Sequence, residues 1–209
     1  MVYLPIFLTV ALAHFLAVIS PGPDFLMITR NSLIYSRRTG IYSAIGLGLG
    51  ILVHITYSLV GIGLIISKSI ILFNTIKLLG AAYLIYIGYK SLTSKSSKTN
   101  IAVGEQRKDI NKLAAVRIGF ITNVTNPKAT LFFLSLFTLI VTPTTPMIIK
   151  ILMGAEMSIV TSLWFIFVAY LTSHHLVKSR IGGIQHFAEK FIGIVLIALG
   201  IKVALSTSK

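Results

Sequence analysis

The sequence predicts an all-α integral membrane protein of six transmembrane helices, built as two inverted three-helix repeats with the first and fourth helices broken. Three observations predict this. The 209 residues are 55% hydrophobic and 11% charged, with a mean hydropathy of +0.89. A soluble domain carries about a quarter charged residues, so polar surface is too scarce here to cover a water-facing globule. Six apolar stretches, 4–19, 41–66, 70–87, 113–141, 147–171 and 187–205, approach or exceed the length that crosses a bilayer, about 20 residues. Two of them are interrupted by proline, about a hundred residues apart, and the interruptions carry opposite charges.

The first stretch runs into Ser20, Pro21, Gly22, Pro23 and Asp24. Proline inside a helix removes a hydrogen bond and clashes with the preceding turn. Unpaired backbone in hydrocarbon costs several kcal/mol per group, so such a break must be packed in protein or line a cavity. The stretch is expected to be retained, because no basic region precedes it and no small-residue cleavage site follows. In the second stretch Gly46, Gly50, His54, Tyr57 and Gly61 share one helical face, which predicts a packing stripe. The third completes a first repeat over residues 1–92. Residues 93–112, rich in Ser, Lys and Asn, read as a polar cytoplasmic linker.

The second repeat, 113–209, opens with the fourth stretch, broken at Asn123, Asn126, Pro127 and Lys128. The fifth holds Glu156 about nine residues inside its apolar run, and the sixth closes the repeat. Lys77, Gly80, Gly88 and Lys90 of the third stretch are matched, with a one-residue offset, by Lys190, Gly193, Gly200 and Lys202 of the sixth. Three spans per repeat is odd, so the twin must insert upside down, an architecture that recurs in secondary transporters. Arginine and lysine concentrate in the first, third and fifth connections, which places those in the cytoplasm and both termini outside. The net charge of +14 therefore reads as orientation and lipid contact rather than nucleic-acid binding.

The breaks carry the chemistry. A proline can open a half-helix as its first residue, and Asn126 is placed to cap the one that Pro127 opens. Free N–H groups and the dipole at such an end favour an anion, which suits a substrate carboxylate and also suits Asp24. Lys128 is opposed by the same dipole and calls for a partner, for which Asp24 is the natural candidate. The pair serves transport or forms a fixed clamp between the halves. Glu156 binds a substrate ammonium or a coupling proton, or is a protonated group bonded to a neighbouring helix. His14 and His54 are proton relays or satisfied polar groups of the bundle. Trp164, Tyr170 and the tyrosines of the third span are expected in packing or at the interface. No cysteine is present, and His174–His175 lacks companions at ligand spacing, so no metal site and no cofactor is expected. Hydrolase, phosphate-loop and dinucleotide motifs are absent, and no enzyme is predicted.

The segments SPGPDFLMITRNSL, GLGLGILVH, KLLGAAYLIYIGYKSL and GFITNVTNPKATLFF resemble the lysine-exporter (LysE/RhtB) family of amino-acid translocators, in order and over most of the chain. The resemblance implies an exporter of six spans in the inner membrane that moves amino acids or related metabolites outward, exchanging them for protons. It further implies that Pro21, Gly22, Pro23 and Asp24, with Asn126, Pro127 and Lys128, line the translocation region. The chain departs from the family at LFTLIVTPTTP, where relatives continue with Pro-Gln-Phe, and at Glu156, where they have a small or hydroxyl residue. The expected partners are an amino-acid substrate, a coupling proton and membrane lipid, and apolar faces permit a homo-oligomer. The alternative is a passive channel or a structural membrane subunit with a static Asp24–Lys128 clamp.

Overall fold

A computed structural model of the chain describes residues 3–93, 108–140, 145–172 and 181–205. Most of the expected linker and both His174 and His175 lie outside them. The described residues form eight helices and no strand: α1 (Leu4–Ile19), α2 (Pro23–Ile34), α3 (Arg37–Lys68), α4 (Ile70–Thr93), α5 (Lys112–Val124), α6 (Pro127–Ile140), α7 (Met147–Thr172) and α8 (Ile181–Leu205). Both predicted breaks are present, between α1 and α2 and between α5 and α6.

Among the described residues, two segments are long and apolar enough to cross a membrane, Arg37–Gly61 of α3 and Met147–Thr172, and the pair α1–α2, bent by 52°, makes a third. The fourth stretch is divided into α5 and α6, of 13 and 14 residues.

Local signals set the helix starts. Asn111 Oδ1 accepts from the Ala114 N–H at 2.7 Å and caps α5. Ser36 Oγ accepts from the Thr39 N–H at 3.1 Å ahead of α3. Asp109 ties these two helix starts together, taking hydrogen bonds from Ser36 Oγ at 2.8 Å and from Thr39 Oγ1. The Thr39 bond is the first cause that holds the Asp109 carboxyl below its ordinary value. Arg37 over the Tyr170 ring and Lys112 over the Tyr42 ring, at 5.1 and 5.6 Å, bring the same end of α7 and α3 under cations.

Packing divides into two apolar clusters. The larger joins Val10, Ile51, Leu84, Phe133, Met157 and Leu196, from α1, α3, α4, α6, α7 and α8. The smaller joins Ile28 of α2, Leu47 of α3 and Phe165 of α7. Leu8, Leu12, Leu79, Leu163 and Ile194 are more than half exposed. Large aliphatic side chains turned outward on the long helices suit a lipid solvent, which rewards no hiding of apolar surface.

Small residues let backbones touch. A Cβ on Gly88 of α4 would stand 2.6 Å from the Gly193 carbonyl oxygen of α8, and a Cβ on Gly193 would stand 2.6 Å from that of Gly88. Gly200 meets Ala81 and Ile85 in the same way, so α4 and α8 run antiparallel. The predicted stripe on α3 packs as expected at Gly46, against Val116 of α5, and at Gly50, against Asn123, whereas Gly61 faces open space.

Candidate functional site at the paired helix breaks

The first break begins where α1 ends. Ser20 closes it with an N–H to the Leu16 carbonyl at 3.2 Å, the chain extends through Gly22, and Pro23 starts α2 without a side-chain cap. Asp24 follows at once, in the first turn, where the dipole favours a carboxylate. In the second break Thr125 closes α5 and Asn126 opens α6. Its Oδ1 accepts from the Lys128 N–H at 3.0 Å, the cap expected of it.

The breaks are joined through side chains. Asp24 Oδ2 accepts from Asn123 Nδ2 at 2.8 Å, and Oδ1 accepts from Asn126 Nδ2 at 3.0 Å. A carboxylate bonded through both oxygens to amides of the opposite break ties α2 to the α5–α6 turn. Lys128 solves its dipole problem by reaching away from α6. Its Nζ donates to the carbonyls of Ser20 at 2.9 Å and of Ala17 and Pro21 at 3.4 Å. Those carbonyls lie at the C-terminal end of α1, where acceptors are left over and a cation is favoured. Each charge therefore sits at the pole of a first-break half-helix that stabilises it.

His54 braces the second break from α3. Its Nε2 lies 2.9 Å from the Asn123 carbonyl oxygen and its Nδ1 lies 2.6 Å from the Tyr57 hydroxyl. A carbonyl only accepts, so Nε2 carries the proton, and in the neutral ring Nδ1 accepts from Tyr57. The ring stacks on Phe133, 5.4 Å between centroids at 7°. His14 of α1 lies across from it, with Nε2 3.2 Å from Thr161 Oγ1 of α7 and a buried Nδ1 that has no partner among the described residues.

Two cavities meet at the breaks. The smaller, about 50 Å³, is lined by Asp24, Lys128, Asn123, His14, Thr161 and Phe133, among others. A water needs about 10–15 Å³ by this measure, so there is room for a few. The larger, about 640 Å³, is a vestibule lined by Pro21, Pro23, Pro127 and Lys128 on one side and by Tyr83, Tyr86 and Lys90 of α4 on the other. Ser20, Gly22, Asn126 and Lys128 belong to both.

The structure thus brings together Pro21, Gly22, Pro23, Asp24, Asn123, Asn126, Pro127 and Lys128, with His54 as a brace behind Asn123. Glu156 stands apart. It is half-buried on α7 and lines neither cavity, and its Oε2 has no hydrogen-bond partner among the described residues. Sequence reasoning did not single out Thr161, Phe133 or Lys90 for this site, and it assigned the third-span tyrosines to packing or the interface rather than to binding. Tyr83 and Tyr86 instead face the vestibule. Their signal was a position one to two turns before Lys90 on one helix, which gains meaning only once α4 lies beside the breaks.

The LysE type translocator family matches residues 15–207. The uncharacterized membrane protein YrhP of Bacillus subtilis (strain 168) is 30% identical over 204 residues, covering 90% of this chain and 93% of that protein. A threonine efflux protein of Escherichia coli (strain K12) is 29% identical over 204 residues, covering 97% and 99%. A threonine efflux protein of Salmonella typhi is 28% identical over 204 residues, with the same coverage of 97% and 99%. No solved structure matches the chain. LysE type translocators and threonine efflux proteins are transporters rather than enzymes, and the apolar helices fit a multi-pass protein of the inner membrane. With the paired breaks and the match over nearly its whole length, the chain belongs to the LysE type translocator family.

Proposed function

We propose that the protein is a secondary transporter that exports amino acids across the cytoplasmic membrane in exchange for protons. One observation carries this reading. A carboxylate and an ammonium, Asp24 and Lys128, line one cavity where two interrupted helices meet, in a chain whose relatives include threonine efflux proteins. Intramembrane charges at a helix break are the usual marks of a transport site. The substrate carboxylate meets Lys128 or the uncapped start of α2. Asp24 takes the substrate ammonium or the coupling proton. One proton moving down about 100 mV supplies about 2.3 kcal/mol, enough for roughly a fifty-fold gradient of a neutral solute.

The arrangement proposed is six spans, α1–α2, α3, α4, α5–α6, α7 and α8, in two inverted repeats with the lysine-rich connections in the cytoplasm. The reciprocal contact of α4 with α8 supports it. Gly88 on Gly193 and Gly200 on Ala81 is the pattern that a two-fold axis between these helices would produce.

Reconstituted protein under an imposed pH gradient, supplied with labelled amino acids, tests the function. Flux that tracks the gradient is expected, and its absence across the amino-acid panel would overturn the reading. The static clamp keeps one observation in its favour: both Asp24 oxygens and the Lys128 ammonium already hold bonds to protein groups. Asp24→Asn separates the two readings. Transport predicts lost coupling with the fold retained; the clamp predicts surviving flux and a less stable protein.

A further inference from the structure

The vestibule has a one-sided charge. Lys90 and Lys128 are the charged side chains of its described lining, and no carboxylate lines it among the described residues. The remaining polar lining is neutral, supplied by Tyr83, Tyr86, Ser91, Thr93 and Asn126 among others. Asp24 lines only the smaller cavity, beyond the residues that both cavities share. A solute moving inward from the vestibule therefore meets Lys90, then Lys128, then Asp24: cation, cation, anion.

We propose that this vestibule is a charge filter: a subsite for a carboxylate group that admits amino acids of zero or negative net charge ahead of cationic ones, with Lys90 as its specificity-determining residue. The proposal rests on the amino-acid export reading and narrows its substrate class. Lys128 is partly buried and donates to three carbonyls of the first break, so it is fixed in place. Lys90 is exposed, on a long flexible stem in the last turn of α4. It is the ammonium able to follow an incoming carboxylate. A cleft lined by one sign of charge concentrates the opposite sign and repels its own. An added side-chain cation about 7 Å from one ammonium is disfavoured about three- to tenfold at an effective dielectric between about 80 and about 35. A lysine near the C-terminal end of a helix is also favoured by the dipole alone. That simpler role predicts a change in stability and none in substrate preference.

The test uses purified protein in liposomes, with labelled threonine, glutamate and lysine, for wild type, Lys90→Arg, Lys90→Gln and Lys90→Glu. Wild type is expected to show a kcat/KM for threonine about tenfold or more above that for lysine at low salt, the ratio falling as salt rises. Lys90→Arg should keep the ratio. Lys90→Gln should lower it about three- to tenfold, mainly through KM, and Lys90→Glu further still. Equal handling of threonine and lysine by wild type overturns the filter, as does an unchanged ratio in Lys90→Gln at normal membrane insertion. Wild type that moves no member of the full amino-acid panel under any gradient overturns amino-acid export itself, and the filter with it.

Discussion

Asp24 and Lys128 are both costly in an apolar bundle, and each is stabilised by local backbone chemistry before any ligand arrives. Asp24 sits at the start of α2 with two amide donors, and Lys128 sits against the leftover carbonyls of α1. Removing one member of such a set leaves the other polar groups buried and unmatched, at a cost of about 1–3 kcal/mol per group. Asn123→Ala is therefore expected to lower thermal stability in detergent by about that amount and to reduce flux, because Asp24 loses a donor while the bond from His54 to the backbone carbonyl at 123 remains. Lys128→Met should abolish flux and destabilise the protein to a similar degree; a variant with wild-type melting would show that the carbonyl contacts contribute nothing. The identity of the charged pair was legible from PGPD and NPK, since an ionisable residue directly after a proline in an apolar run is costly unless the break itself holds it. Their real partners were not legible. Asn123, one turn before Pro127, becomes the Asp24 ligand only because α2 and α5 are adjacent.

At the level of elements, glycine decides how closely helices approach. Gly88→Ala places a methyl group 2.6 Å from a backbone oxygen of α8, which cannot swing aside as a side chain can. The expected loss is about 1–3 kcal/mol, read as a lower melting temperature. Gly61→Ala meets nothing within 4 Å, and the gain in helix propensity, about 0.5–1 kcal/mol, should leave the protein as stable or more so. The connection into α5 has its own acid sensitivity. The Asp109 carboxyl is held below its ordinary value, first by the Thr39 hydroxyl. Its contribution is thus fully present above the ordinary carboxylate value and is lost as pH falls through the lowered folded-state value. The stability difference between wild type and Asp109→Asn should persist at neutral pH and vanish in strong acid, as followed by thermal melts across pH. The stripe on α3 was readable as a packing face from its spacing, but its partners, α5 at Gly46 and Asn123 at Gly50, were not.

For the whole molecule, the vestibule lies toward the Lys90 end of α4, on the side that the positive-inside rule assigns to the cytoplasm. The natural sequence has no cysteine, so a single introduced thiol reports cleanly. Ser91→Cys should react with a membrane-impermeant maleimide only when the reagent reaches the cytoplasmic face, and Lys150→Cys only from outside. Labelling of both from one side would overturn the six-span topology.

Composition and the two proline breaks determined on their own that the chain is a helical membrane protein with charged interruptions, because hydropathy and backbone hydrogen bonding are local properties that the sequence states directly. They did not determine what the interruptions touch. Only the tertiary structure decided that Asp24 is held by two asparagines, that Lys128 serves the end of α1, that Glu156 stands outside the site, and that Lys90 with two tyrosines forms its approach. Those outcomes depend on which helix faces lie together. That is set by close contacts such as Gly88 on Gly193 and by the fit of aromatic side chains around the breaks, and residues far apart in the chain share them only after folding.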